Sequence, residues 1–383
     1  MFKPEELPQQ IADGQYTLTA IVGQGAMAAV YRATAHLDRF DYANLVACHE
    51  AAEGASEEER THHRKQRYEL LKARPRAELI ELVKRNHLPY PHDGIAAVKV
   101  MLPQQKGEDV AQRFEAEWRQ LQALNHTNLI QVFGGGSDGR LHWYAMNLVE
   151  NVIDIDACKA FSVEDKLDML DQAAAGLSAL HERGIIHRDI KPANLLVSRE
   201  GGKLKTRVMD LGIAKNPNTE GLTMSHHVMG TPYYMSPEQA GSAKRVDVRA
   251  DVYSLGATLY TLVTGQRPYE GKAMYEVVGH IIRGVPPASP REIAPDLDPN
   301  VSALIEAMMA PDIDERLQTM VAVRAAIAAI RGGDRLKIDE ALGIGQSGAA
   351  ARKRATKSKG AKTKSTGNIF SRMFGFGGRK GRR

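Results

Sequence analysis

His187-Arg188-Asp189-Ile190-Lys191-Pro192-Ala193-Asn194-Leu195-Leu196 crowds four ionisable side chains and an amide into ten residues. Apolar residues flank it on both sides, Ile185-Ile186 before and Leu195-Leu196-Val197 after. A surface turn between two short strands explains the polarity but not the crowding. A second carboxylate follows the apolar pair Val208-Met209, in Asp210-Leu211-Gly212. Phosphoryl transfer needs oxygen ligands for a metal and a group that orients the attacking hydroxyl. Asp189, Asn194 and Asp210 supply the oxygens, of the hard kind that suits Mg²⁺, and Lys191 supplies a cation for the transferring group.

Upstream, YTLTAIVGQGAMAAVYRAT (16–34) reads as strand, Gly-rich turn, strand, with Ile21, Val22, Val30 and Tyr31 as β-formers. The turn GQGAMA (23–28) is weak evidence alone, because such turns are more often plain hairpins, and Ala28 stands where a third glycine would complete GxGxxG. AAVKV (96–100) places Lys99 on a strand. A lysine held there needs a carboxylate to stay charged and aimed at phosphates. Glu117 and Glu115, on a helix expected over about 108–124, compete for that place, and the spacing to Asn125-His126 favours Glu117.

Further strands are expected over 94–102, near 128–133 and over 140–149. From residue 162 the pattern turns helical, with VEDKLDMLDQAAAGLSALHERG ended by Gly184. Short strands and loops fill 185–215, and helical patterns run on to about Arg331. A β-rich part thus precedes an α-rich part, which predicts two lobes with a cleft between them.

The chain has 383 residues and a formal charge of +5, but residues 341–383 hold 12 Lys/Arg and no Asp/Glu. The remainder carries 39 basic against 46 acidic residues, a net of −7, so the high pI describes a tail and not a nucleic-acid-binding body. The two cysteines, Cys48 and Cys158, have no CxxC spacing, which argues against a disulfide scaffold and points to a reducing compartment. MFKPEELPQQ has no apolar core of a signal peptide, and no run of about 18 apolar residues reads as a membrane span. A cytoplasmic location follows as the expectation.

In their order along the chain, these motifs resemble the eukaryotic-like (Hanks-type) protein kinases, most nearly the bacterial Ser/Thr branch. The resemblance runs from about Tyr16 to Arg331, apart from an inserted segment. It implies an α+β, two-lobed kinase fold over about 16–333, with a small β-rich N-lobe (about 16–147) and a larger helical C-lobe (about 148–333). It implies ATP and Mg²⁺ as cofactors and Ser/Thr hydroxyls of proteins as substrates. Lys99 resembles the lysine on the α/β-phosphates, with Glu117 as its helix partner. Asp189 resembles the catalytic base, Asn194 and Asp210 the Mg²⁺ ligands, and Lys191 the contact to the γ-phosphate. Val30, Ala97 and Leu196 would sandwich adenine, beside Ile21, Gly23 and Gly25 of the turn. Met146 would be the gatekeeper, with Asn147, Leu148 and Val149 as hinge. Ser236-Pro237-Glu238 stands for the APE motif, with Glu238 paired to Arg316, and Asp251 would brace the catalytic loop. Arg188 implies control by activation-segment phosphorylation, for which Thr223 and Ser225 are the candidates. Thr231 in GTPYYMSPEQA (230–240) favours Ser/Thr over Tyr, and self-association for autophosphorylation is a further implied partner. Leu211 replaces the usual Phe after Asp210, and Leu317 follows Arg316 where Pro is common.

Three other functions compete. A pseudokinase usually lacks the catalytic Lys, Asp or Asn, and all are present here. A small-molecule kinase does not account for GTPYYMSPE. A nucleic-acid-binding protein accounts for the tail alone.

Two segments fall outside the resemblance. Val30 and Lys99 lie 69 positions apart, far more than a loop between paired strands needs. Segment 36–93 is therefore expected as a solvated helical excursion from the edge of the N-lobe sheet, with one packed face and a docking or regulatory surface as the second reading. It holds His36, His49, His62, His63, His87 and His92, but no metal-ligand spacing stands out. Residues 343–367 are Gly/Ala/Ser/Lys low complexity, expected to be disordered, and NIFSRMFGFGGRKGRR (368–383) sets Phe370, Met373, Phe374 and Phe376 among basic residues. A solvated tail is the default reading, and contact with an anionic membrane surface or nucleic acid is the alternative.

Overall fold

The computed structural model describes residues 9–25, 28–49, 57–101, 108–138, 141–211, 232–241, 246–270 and 272–343. Thr223, Ser225, Thr231, Gly212 and the basic tail lie outside them.

Short strand β1 (Gln10–Ile11) leads into β2 (Tyr16–Gln24) and β3 (Ala28–Ala35), the two arms of the Gly-rich hairpin. After three helices come β4 (Ile95–Met101), α4 (Glu108–Gln122), β5 (Val132–Asp138) and β6 (Leu141–Met146). These strands form one sheet in the order β1-β2-β3-β4-β6-β5, and every pairing in it is antiparallel.

Successive residues of a strand face opposite sides. Tyr31 and Ala33 of β3, Val98 and Val100 of β4, and Trp143 and Ala145 of β6 belong to one apolar cluster. Ala97 and Met101, with Tyr144 and Met146, belong to the other, which continues into the C-lobe. IAAVKVM is nearly continuous in apolar residues because β4 is covered on both faces.

The covering of the outer face is the inserted segment. Its helices are α1 (Tyr42–His49), α2 (Glu57–Leu71) and α3 (Arg76–Arg85). They leave the sheet after Ala35 and return at Ile95, which pairs with Thr34. Tyr42, Leu45, Val46, Leu71, Val83 and Leu88 are buried in the same cluster as Val98 and Trp143. The expectation of an excursion from the sheet edge is therefore corrected: the segment folds back over the sheet. Burying Leu45, Val46, Leu71 and Val83 stabilises by about 1.5–3 kcal/mol each relative to exposure, which an edge-hung hairpin would forgo. Asn125 Nδ2 also donates to the His87 carbonyl at 2.8 Å, tying the end of the insert to the corner after α4.

The strand expected near 128–133 begins only at Val132. Before it, the chain bridges to the C-lobe, with Val208 N–H donating to Asn128 O (2.9 Å) and Ile130 N–H to Val208 O (3.0 Å). Asn128 and Gln131 side chains hold neighbouring carbonyls and replace a strand ladder.

The C-lobe is built on α5 (Val163–Glu182) and α7 (Arg249–Thr264), with a small sheet of β7 (Val152–Ile153), β8 (Leu195–Glu200) and β9 (Lys203–Val208). Ser162 caps α5 by accepting from Asp165 N–H at 3.0 Å. Gly176 on α5 lets the helix touch the Asn128 backbone, where an added Cβ would lie 2.5 Å from a carbonyl oxygen. Around these pack α6 (Pro237–Gly241), α8 (Met274–Ile282), α9 (Pro290–Ile293), α10 (Pro299–Met308) and α11 (Met320–Gly332). The lobe continues past the expected end near 333: α12 (Arg335–Ala341) puts Ile338 and Leu342 into the main core.

Candidate active site

The loop between α5 and β8 is held from beneath by Asp251, on the first turn of α7 and fully buried. Its carboxylate accepts from His187 N–H (2.8 Å), Arg188 N–H (2.8 Å) and His181 Nε2 (2.8 Å). These contacts offset the strain of Arg188, a non-glycine residue at φ +64°, which costs on the order of 1–3 kcal/mol. Gln239 Nε2 adds a hydrogen bond to the Arg188 carbonyl at 2.9 Å.

His187 is completely buried, and Nε2 lies 3.0 Å from the Met209 carbonyl, so that nitrogen carries the proton. Nδ1 then accepts from Asp189 N–H at 3.3 Å. Burial pushes the imidazole below its ordinary pKa, and the ring stays neutral.

Asp189 gathers its neighbours. Lys191 Nζ is 2.9 Å from Asp189 Oδ2. Asn194 Nδ2 donates to the Asp189 carbonyl (2.7 Å) and to Oδ2 (3.3 Å). Met209 N–H donates to Asn194 O at 3.0 Å, which sets Asp210 directly beyond this loop. Asp210 is a second strained residue, at φ +56°.

From the other side of the cleft, Lys99 Nζ reaches Asp210 Oδ1 at 2.8 Å and Glu117 Oε1 at 3.2 Å. Glu115, the competing carboxylate, pairs instead with Arg119 one helical turn on. Tyr144 donates its hydroxyl to Glu117 Oε1 at 3.0 Å. Burial alone would neutralise Lys99, but the Tyr144 phenol and the carboxylates of Asp210 and Glu117 outweigh it and hold the ammonium well above the ordinary lysine value. Burial pushes the Glu117 carboxyl up against the pull of Lys99.

Ala97 and Met146 face each other across β4 and β6, and Val30, Leu148 and Leu196 pack against the cluster that holds both. Gly23 and Gly25 lie at the hairpin tip, where Gly25 N–H donates to the Ala28 carbonyl at 2.9 Å, and Ile21 is half exposed on β2. Ala28 sits within β3, paired with Met101 and buried in the apolar cluster, and its backbone has no positive φ that would call for glycine. Deeper in the C-lobe, Arg316 forms a bidentate pair with Glu238, at 2.7 and 3.1 Å, with its side chain fully buried.

The oxygen set suits Mg²⁺. Asn194 directs its amide nitrogen to Asp189, so its carbonyl oxygen and the second carboxylate oxygen of Asp210 are the hard donors left for a cation. Reading the sequence missed Tyr144, His181 and Gln239. Tyr144 could have been found by alternation, two residues before Met146 on the same face, whereas Gln239 carries no signal.

The family model "Protein kinase domain" matches residues 90–326. The chain is 34% identical over 248 residues to serine/threonine-protein kinase PknA of Mycobacterium tuberculosis, covering 62% of this chain and 56% of that one. It is 34% identical over 230 residues to serine/threonine-protein kinase PknB of Mycolicibacterium smegmatis, covering 58% and 36%. The chain thus spans about a third to a half of the length of these relatives. The fold is similar to the Mycobacterium tuberculosis PknI kinase domain, with a TM-score of 0.55 at 21% identity over 84% of this chain and 98% of that one.

Proposed function

The chain belongs to the protein kinase family, with relatives in its bacterial Hanks-type Ser/Thr branch, and on that premise we propose that it transfers the γ-phosphoryl of Mg·ATP to Ser/Thr hydroxyls of proteins. The observation that carries this reading is the charged chain across the cleft, from Glu117 through Lys99 to Asp210, next to the Asp189–Lys191–Asn194 cluster.

In this reading Asp189 takes the proton of the substrate hydroxyl as its oxygen bonds to the γ-phosphorus and the bond to the ADP oxygen breaks. Lys191 and Lys99 meet the charge on the transferring and leaving phosphates. Asn194 and Asp210 would hold Mg²⁺, which neutralises phosphate charge when bound. Ile21, Gly23, Gly25 and Val30 would cover the nucleotide, Ala97 and Leu196 would enclose adenine, and Met146 and Leu148 would line its inner edge. The catalytic unit is assigned to 16–333, with 36–93 inserted in its N-lobe and α12 packed onto its core beyond that end. The test is transfer from labelled Mg·ATP to the protein itself and to a basic protein substrate. Transfer present in the natural chain and lost in Asp189→Asn and Lys99→Met supports the reading; transfer that survives both overturns it.

Regulation follows from Arg188. Its Nε is buried with no hydrogen-bond partner among the described residues, a cost that a phosphate would relieve. Autophosphorylation of Thr223 or Ser225, in trans between two copies, is the proposed source, with Thr231 as the proposed determinant of Ser/Thr over Tyr specificity. A double Thr223→Ala, Ser225→Ala variant with unchanged activity would remove this part. Among the described residues no helix is long and apolar enough to cross a membrane, and Cys48 and Cys158 are free and buried. A cytoplasmic location is proposed, with the basic tail drawn to anionic membrane surface or nucleic acid, a contact that deletion of the tail should abolish.

A further inference from the structure

Far from the cleft, at the base of the C-lobe, a cavity of about 400 Å³ opens between the Pro286–Pro290 loop, the end of α7 and the second half of α10. Tyr260, Pro287, Ile305, Met309 and Pro311 give it apolar walls, three of its lining positions being a rigid Pro-rich rim at 286, 287 and 290. Two carboxylates stand at its mouth. Glu306 is anchored by the hydroxyls of Ser289 (2.7 Å) and Ser302 (3.2 Å), both on Oε1. Glu292 accepts from Ser289 N–H at 3.2 Å, again through Oε1. No cation pairs with either carboxylate among the described residues. The stretch 286–315 carries seven acidic residues and one basic one, of which Glu292 and Glu306 line the cavity while Asp314 is paired with Arg249.

We propose that this cavity is the docking site of the chain's own segment Asn368–Arg383. The fit is one of chemistry and of reach. The segment carries Phe370, Phe374 and Phe376, rings of the size and polarity for Pro- and Met-lined walls, interleaved with Arg372, Arg379 and Lys380 for the carboxylates. Residues 344–383 hold 12 basic residues and no acidic one, against the acidic base of the C-lobe. The chain enters this tail from α12, whose Arg335 Nη1 is 3.0 Å from Asn300 Oδ1 at the start of α10, the helix that lines the cavity. Phe370 lies 27 residues beyond Gly343, a contour of roughly 90 Å, so reach is no obstacle and docking is intramolecular. Docked, the tail's basic groups face the protein's own carboxylates, and the anionic surfaces proposed above are met only by the undocked form.

The experiment is methyl NMR on the full chain labelled with ¹³C-methyl methionine, following Met309, assigned by its loss in Met309→Leu. Wild type is compared with Phe370→Ser/Phe374→Ser/Phe376→Ser, which changes nothing inside the described fold, and with Ala288→Arg, which fills the mouth from an exposed position. The Met309 resonance should move in the triple-Ser variant and in Ala288→Arg, each to its own position, and the wild-type position should be independent of dilution. A Met309 resonance that does not move in the triple-Ser variant overturns the proposal. A wild-type position that moves on dilution also overturns it, because the occupant is then the tail of a second copy.

Discussion

Val98 and Lys99 are neighbours on β4 and point to opposite faces of one sheet, and the two faces differ in everything but their backbone. Behind Val98 lies a filled apolar layer, with Tyr31, Phe133 and Trp143 packed against Leu45, Leu71 and Val83 of the insert. In front of Lys99 lie Glu117, Asp210 and Tyr144, each charge or hydroxyl held by a named partner, in a cleft that remains partly open. The outer face contributes stability through burial, and the inner face carries the charges that a reaction needs. The strain at Arg188 and Asp210 sits on the inner side, where Asp251 and Lys99 hold it. Chemistry and stability are thus separated by the thickness of a sheet, and a perturbation of one face should leave the other readable.

The largest expected effect belongs to the cleft. Asp189→Asn should lower phosphoryl transfer by about 10²–10⁴-fold, the usual worth of a positioned base, and Lys99→Met by about 10²–10³-fold. Thermal unfolding should show both still folded; a variant that unfolds instead would mean that the two faces are not separate. The outer face should answer the other way. Leu45→Ala, fully buried, should cost about 2–5 kcal/mol in urea unfolding while the folded fraction keeps its transfer rate. A folded Leu45→Ala protein without transfer would show that the insert controls the cleft through the sheet.

A smaller effect is expected from acid. The pKa of His187 in the folded chain lies below its ordinary value of 6.5, so the unfolded chain binds the proton first as pH falls. Stability from this group is therefore full above about pH 6.5 and declines below it, by at most about 1.4 kcal/mol per pH unit until the folded pKa is reached. Urea unfolding between pH 7 and 5 should show a shallower slope in His187→Gln than in wild type; equal slopes would contradict a buried neutral ring. Smallest is the tie between the insert and the corner after α4. Asn125→Ala removes one exposed hydrogen bond and should cost about 0.5–1.5 kcal/mol, detectable as faster amide exchange in 86–94.

The motifs of the cleft were legible because their chemistry is local. His187 to Asn194 lie in one loop, and the loop's own hydrogen bonds assemble most of the cluster. The strand-turn-strand around Gly23 and Gly25 and the α5 helix are equally local signals of turn and period. Less legible was the choice between Glu115 and Glu117, two residues apart on α4, because which one meets Lys99 depends on how that helix rotates against the sheet. The segment 128–131 looked like a strand by composition, yet its pairing is with β9 across the lobes, a contact 78 residues away in sequence for Asn128 and Thr206. The side chains of His181 and Gln239 enter the site through partners distant in sequence, so periodicity alone gave no reason to single them out, whereas alternation from Met146 pointed to Tyr144.

Residue types and spacing by themselves determined the family of the chain, its two-part β-then-α order and the polar loop at its centre. They did so because turn chemistry, strand alternation and helical period act over a few residues, and because a set of charges in a fixed order is hard to reach by chance. Tertiary structure alone decided where the insert goes. Its helices carry apolar residues whichever way they pack, and only the open outer face of the sheet, lined by Tyr31, Val98 and Trp143, offers them enough apolar surface to bury. It also brought in the partners that no local pattern encodes, the Tyr144 hydroxyl on Glu117 and the His181 ring on Asp251, because those meetings depend on distances between elements.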